Sequence, residues 1–299
     1  MKKVKESFAK KERYYDFSEK NSLFEPELIL DRIFDYLGVK SKELDKFKEL
    51  ENEIVHFKKI RFSDGENIEK ILDKINQVKN YPQKAKKLQQ LKLDFEQDKD
   101  LDKYTSGVQQ IEKVYVKEND YEYKSKKIKI KYLANHYYIP VLVSESEKID
   151  YLNHIINVPS EVKFIEELEE YLAKPDNVFS QFDWWMFSKL DQTLDEVFIP
   201  YFNYKENRIA DFKPDFIFWL KPKNSERYII LFVDPKAPTY ADANYKIDGY
   251  KRIFEKDGKT IEFPQGILVK LLMWGQRNTG EEYRNYWANN FADFADKIS

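Results

Sequence analysis

The alternation of apolar and polar positions changes character along the chain. Up to about residue 105, apolar residues recur at helical spacing between runs of Lys, Glu and Asp. Glu27–Leu37 follows Pro26 and stops at Gly38, the order expected of a helix with Pro just inside its start and Gly just past its end. Ser41–Glu53 and Glu66–Lys79 predict two more helices, the latter stopped near Tyr81-Pro82. Ile54–Phe62 fits strand or helix, and Ala85–Lys103 is dominated by charge, with an ambiguous pattern at Leu88, Leu91, Leu93 and Phe95. Residues 1 to about 105 read as a helical module or spacer with solvated charged faces.

Between residues 111 and 143 the period shortens to two. Val114-Tyr115-Val116, Tyr121-Glu122-Tyr123 and Ile128–Tyr132 alternate with charged residues, and Glu118-Asn119-Asp120 and Lys124-Ser125-Lys126 supply turns. The pattern predicts an antiparallel meander with one wet face. Helical spacing returns at Glu161–Ala173, where Val162, Ile165, Leu168 and Leu172 share a stripe and Ser160 stands at the expected N-cap. Trp184–Leu194 reads as a second helix, followed by the apolar Val197–Ile199 and a hairpin turn around Lys205-Glu206-Asn207. Two continuous apolar runs, Phe216–Leu220 and Tyr228–Val233, flank the polar turn Lys221–Arg227 and predict a hairpin buried on both faces. Ala241–Phe254 (helix), Gly266–Trp274 (strand) and a last helix from Glu281 carrying Tyr283, Trp287, Phe291, Phe294 and Ile298 complete the pattern. The expected fold is α/β (α+β): a mixed sheet flanked by helices, preceded by a mostly helical region and a small β meander. Boundaries are expected at 1–105, 106–158 and 159–299. Trp184, Trp185 and Trp219 read as core residues.

The polar exceptions to the central hairpin carry the chemistry. Asp215 opens its first strand, while Asp234 and Lys236 close its second. Antiparallel pairing sets those two ends side by side, and Asp234 and Lys236, two apart, project to one face of an extended segment. Two carboxylates and an amine thus meet beside an apolar core, where charge is costly unless it is paired, at a rim or bound to an ion. Two carboxylates suit Mg²⁺, which keeps several waters and takes few protein ligands. A neighbouring lysine can orient water for attack on phosphorus. His56, His136 and His154 have no second histidine at ligand spacing and read as packing or surface residues.

Pro214-Asp215 followed by Asp234-Pro235-Lys236 resembles the PD-(D/E)xK motif of restriction endonuclease-like folds. With WWMFSKLDQTLDEVFIPYF at 184–202, KPDFIFWLK and FVDPKA, residues 130–299 resemble the C-terminal nuclease domain of type III restriction enzyme Res subunits and related helicase–nucleases. That resemblance implies a Mg²⁺-dependent (or Mn²⁺-dependent) endonuclease acting on DNA in restriction-modification or phage defence. Asp215, Asp234 and the Pro235 carbonyl would hold the metal and Lys236 would position the attacking water. A further acid from a helix before the first strand is implied. Asp191 and Asp195, one helical turn apart, are the first choice, with Glu196 next and Glu166 or Glu169 more remote. The helix after the catalytic strand would lie near the phosphate backbone, which makes Lys246, Lys251 and Arg252 expected contacts. The refinement Gln-x-x-x-Tyr of some relatives is altered, since Lys246 precedes Tyr250.

Acidic and basic residues nearly cancel, 53 against 51, so any basic surface must be local. One local cluster is Lys124, Lys126, Lys127, Lys129 and Lys131, interleaved with tyrosines; Lys127 and Lys129 are its expected nucleic-acid contacts, unless the lysines only guard an edge strand. The chain has no cysteine, which excludes disulfides and thiolate chemistry. No secretory pattern opens it, and no apolar run approaches the ~20 residues of a membrane span, so a cytoplasmic, membrane-free protein is expected. It contains neither a G-x-x-x-x-G-K-[ST] loop nor a DEAD/DEAH box, so no ATP site is expected. A detached C-terminal portion, a split product or a standalone nuclease fits, with a separate motor or methyltransferase subunit as partner. The rival expectations are a non-catalytic nucleic-acid-binding or assembly subunit, and a repair or RNA nuclease of the same fold.

Overall fold

The structure is a computed structural model that describes residues 61–62, 68–136, 141–144, 149, 152–153, 155–190, 197–235, 242–263, 266–275 and 280–298. The helices expected over Glu27–Leu37 and Ser41–Glu53 lie outside these residues. The described chain forms two compact units, one spanning Lys59–Lys163 and one running from Phe164 onward.

In chain order the first unit contains β1 (Arg61–Phe62), α1 (Ile68–Lys79), α2 (Gln83–Asp98), α3 (Leu101–Val114), β2 (Glu118–Tyr123), β3 (Lys126–Lys131), β4 (Val141–Ser144) and β5 (Leu152–Asn153). β2, β3 and β4 form an antiparallel sheet, and β1 pairs with β5. Ile71, Ile75 and Val78 of α1 pack on Tyr121, Ile128, Ile130 and Leu142, so helix and meander share one core. The boundary expected at residue 105 therefore falls inside α3 and separates nothing. Charge-rich Ala85–Lys103 resolves into nearly the whole of one helix and the start of the next. Lys99 turns left-handed at φ 54°, and the Asp100 carboxylate accepts from the Lys103 N–H at 2.9 Å as the N-cap of α3. The turn expected at Glu118-Asn119-Asp120 is instead strand, and Val114 ends a helix. The turn at Lys124-Ser125 is present, with both residues at positive φ (50° and 60°), as a two-residue hairpin of matching twist requires.

The second unit is built on a six-stranded mixed sheet. Its parts are α4 (Pro159–Leu172, in this unit from Phe164 onward), a 3₁₀ turn (Val178–Gln181), β6 (Phe182–Lys189), β7 (Ile199–Asn203), β8 (Arg208–Phe212), β9 (Phe216–Pro222), β10 (Tyr228–Pro235) and α5 (Ala243–Phe254). Then come β11 (Glu255–Lys256), β12 (Lys259–Thr260), β13 (Glu262–Phe263), β14 (Ile267–Trp274), a second 3₁₀ segment (Glu281–Tyr286), β15 (Trp287–Ala288) and α6 (Phe291–Ile298). The strand order is β13-β14-β10-β9-β6, with β15 on β14. β10 is antiparallel to β9 and parallel to β14, and α5 provides the crossover that parallel strands need. Phe164 of α4 and Phe291 and Phe294 of α6 pack on Phe218 and Trp274, and Phe164 also meets Phe216; these rings cover the sheet.

Three local expectations are corrected. The segment from Trp184 is a strand through Lys189, not a helix; a short aromatic run is ambiguous by period, and pairing with β9 decides it. Ser160 is not the N-cap of α4. The helix starts at Pro159, and the N–H groups of Glu161 and Val162 both donate to the Val158 carbonyl at 2.9 Å, so Ser160 sits inside the first turn. The single last helix is a 3₁₀ segment, a short strand and α6. The Asn290 side chain interrupts it, accepting from the N–H groups of Ala292 and Asp293 at 2.9 Å as a fresh N-cap. No helix among the described residues is long and apolar enough to cross a membrane.

Candidate active site

The register of the central hairpin brings the sequence-marked acids together. Val233 pairs with Phe216, the last pair of β10 with β9, and Asp234 and Asp215 each lie one residue beyond it. Both are buried, Asp215 to 3% exposure and Asp234 to 0%. The backbone at Asp215 is pinned from the other side as well, because the Leu190 N–H donates to its carbonyl at 2.8 Å. Pro235 is the last residue of β10, beyond its final pair with β9, so its missing N–H interrupts no β9 bond. Asp234 and Pro235 face Met273 and Trp274 of the parallel neighbour β14.

Beside Asp215 stands a charged group that the sequence reading missed. Lys189, at the end of β6, is 7% exposed, and its Nζ lies 3.1 Å from Asp215 Oδ1 and 5.4 Å from the Phe216 ring centroid. The signal was available: Lys189 is a polar exception in an apolar run, the same feature that marked Asp215 and Asp234. Reading that run as helix hid it, because a helix would not have ended beside the start of β9. Lys236 lies outside the described residues. So do Asp191, Asp195 and Glu196, although the helix that was expected to carry Asp191 and Asp195 one turn apart is strand up to Lys189.

Among the described residues, no group of three or more His, Cys, Asp or Glu side chains is placed to hold a metal ion. Two carboxylates and a strand-end carbonyl suit a hard cation that keeps most of its waters, as Mg²⁺ does, and do not suit a closed zinc site. His136 belongs to the other unit, where burial pushes its imidazole down to about 3 and keeps it neutral.

The cations expected on nucleic acid are variously engaged. Lys246 pairs with Asp242 at 3.4 Å and lies 5.0 Å from the Phe212 ring centroid. Lys251 sits over the rings of Tyr283 and Tyr286, at 5.7 and 5.8 Å. The Tyr283 hydroxyl donates to Asp248, and burial together with that carboxylate raises it to about 12. Arg252 is exposed and lines a small cleft between β7 and α5, with Tyr204 and Tyr245 on its walls. In the other unit, cross-strand register matches lysines to acids. Lys127 is 3.9 Å from Glu122, Lys129 is 3.9 Å from Glu118, and Lys131 is 3.4 Å from Glu118. That strand face is a mixed ladder of both signs.

A family model described as the YagJ family matches residues 152–269, a span that contains Lys189, Asp215 and Asp234. No curated protein and no solved structure matches the chain.

Proposed function

We propose that this protein is a metal-dependent nuclease that hydrolyses DNA phosphodiester bonds. One observation carries the reading: the β9–β10 pairing ends at Val233↔Phe216, so two buried carboxylates, Asp215 and Asp234, each lie one residue beyond it at the open end of the central hairpin. Burying two like charges together is costly, and sites that accept that cost are commonly functional. Asp215, Asp234 and the Pro235 carbonyl would hold Mg²⁺ or Mn²⁺. Bound there, the ion would supply Lewis acidity toward a phosphoryl oxygen and a lowered pKa for water. The chain's own part is to fix the two carboxylates, and to place ammonium groups near the charge that builds on phosphorus. Lys236 follows Asp234 by two residues for that role. DNA as substrate, and a separate motor or methyltransferase subunit as partner, come from the resemblance to Res-type nuclease domains.

The test is nicking of supercoiled plasmid by the purified chain with Mg²⁺ or Mn²⁺, beside Asp234→Ala and Lys236→Ala. Metal-dependent nicking that both substitutions abolish is the expected outcome. A second reading is favoured by the Lys189–Asp215 contact: the charges form a buried ion pair that only ties β6 to β9 in a non-catalytic nucleic-acid-binding subunit. That reading gains if DNA binding survives Asp234→Ala and no nicking occurs with either metal.

A further inference from the structure

We propose that the hairpin of α2 and α3 is a self-association surface, on which a second copy of this chain packs its own hairpin antiparallel to make a four-helix arrangement. The inference does not rest on the nuclease reading. Apolar residues recur at helical spacing on each helix, Leu88, Leu91 and Phe95 on α2 and Tyr104, Val108 and Ile111 on α3. The two stripes meet. The Phe95 and Tyr104 rings are 4.9 Å apart, and a Cβ on Gly107 would fall 2.8 Å from Leu91 Cδ2, so the helices approach closely at that glycine. Yet neither helix has a buried residue, and Leu101, three residues before Tyr104, is 64% exposed. The core that α1 shares with the meander draws on neither helix. Two helices alone leave their facing stripes half-wet, and a bundle closes when a second pair covers them.

Charge indicates what the second pair is. The start of α2 is basic, with Lys84, Lys86 and Lys87. Its end and the turn beyond are acidic, with Asp94, Glu96, Asp98, Asp100 and Asp102. Lys99 and Lys103 also stand at that tip, but the acids outnumber them, and Lys103 is held by Asp98 at 2.7 Å. Glu112 and Lys113, near the end of α3, cancel. The hairpin thus has a basic open end and an acidic tip, and two copies complement each other when they lie antiparallel, tip against open end. A parallel arrangement would set like charges together. Such a patch is self-complementary, as a two-fold dimer requires. The interface is modest, since α2, with 16 residues, is roughly 24 Å long. Two helices of this length offer less than the ~800 Å² per partner of a standard interface, so a reversible dimer with a micromolar Kd is expected.

The experiment is sedimentation equilibrium of the full-length chain from about 1 to about 100 μM, the range in which a weak interface is populated. Wild type should pass from the monomer mass to twice that mass, and less completely at high salt, which screens the tip-to-end attraction. Leu101→Lys, at an exposed position, should stay monomeric. So should a chain with its open end reversed (Lys86→Glu with Lys87→Glu) and one with its tip reversed (Asp94→Lys with Glu96→Lys). Mixing the two reversed chains should restore the doubled mass, because each supplies the charge that the other has lost. If a double substitution does not fold by circular dichroism, Lys86→Glu and Glu96→Lys, both at exposed positions, replace the pair with the same expectation. Wild type that stays monomeric to about 100 μM overturns the inference and leaves the hairpin face to a different protein. A dimer that survives both reversals and Leu101→Lys, or reversed chains that do not pair when mixed, places self-association on another surface and overturns it as well.

Discussion

Replacing Asp234 by Asn distinguishes a site held ready for a cation from a structural ion cluster. Asp234 is 0% exposed and follows the last β9–β10 pair, as Asp215 precedes it. Two unit charges about 5 Å apart repel by about 3 kcal/mol at an effective dielectric of 20. Lys189, 3.1 Å from Asp215, offsets part of that repulsion. A residual cost of about 1–3 kcal/mol should therefore be relieved by the isosteric Asp234→Asn. In EDTA the variant should be more stable than wild type by that amount, and its midpoint should rise by about 2–4 °C per kcal/mol for a unit of this size. Urea and thermal denaturation monitored by near-ultraviolet circular dichroism would read both. Mn²⁺ should then reverse the order of response. Wild type should gain about 2.7 kcal/mol at a hundred times its dissociation constant, and the variant should gain nothing. A variant less stable than wild type in EDTA by 1 kcal/mol or more would refute the reasoning, because the charge of Asp234 would then be a structural asset.

Two further perturbations test the packing around the site and the other unit. A Cβ added at Gly249 of α5 would lie 2.6 Å from both the Pro200 carbonyl oxygen and Tyr201 Cβ, so Gly249→Ala should lose about 1–3 kcal/mol in urea denaturation, despite alanine's better helix propensity; an equal or higher midpoint would show that the β7–β8 hairpin does not press on α5. His136 is held down to about 3 by burial, whereas the unfolded chain takes its proton near 6.5. The folded state is thus favoured above about pH 6.5, and this contribution fades as pH falls toward 3, by up to about 1.4 kcal/mol per unit. Relative to wild type, His136→Leu should lose less stability between pH 6.5 and 4, and parallel profiles would sink the assignment.

What the sequence made legible was set by how many residues vote for each element. The central hairpin has two unbroken apolar runs and a polar turn between them, and the structure pairs them from Ile229↔Leu220 to Val233↔Phe216. The α5 face of Ala243, Ile247, Tyr250 and Phe254 was equally plain, and all four are buried. The misses occurred where one tertiary contact outweighs local period. In FDWWMFSK, apolar residues satisfy either period, and only the partner strand β9 selects the extended form. The last segment has helical spacing from Tyr283 to Ile298, yet Trp287-Ala288 is claimed by β14 and Asn290 restarts the helix. The expected division at residue 105 followed composition, whereas the core of α1 and the meander is shared across it.

The site was legible for a different reason. A charged residue in an apolar strand has few tolerable positions, so Asp215 and Asp234 could be placed at strand ends before any contact was known. The same logic applies to Lys189 and would have found it, had its run been read with period two. From there the register does the rest. β6 ends against the start of β9, and β9 starts against the end of β10. The Lys189 ammonium thus reaches Asp215, and Asp234 lies one residue past the last β9–β10 pair. The lysines expected on nucleic acid have no such shortcut. Lysines in a polar context can be placed anywhere, and whether they face phosphate or a neighbouring acid depends on cross-strand register. In this chain that register sets Lys127 opposite Glu122 and Lys131 opposite Glu118. Composition could not reveal it, because a mixed-charge ladder and a basic patch contain the same lysines and differ only in which acids stand opposite.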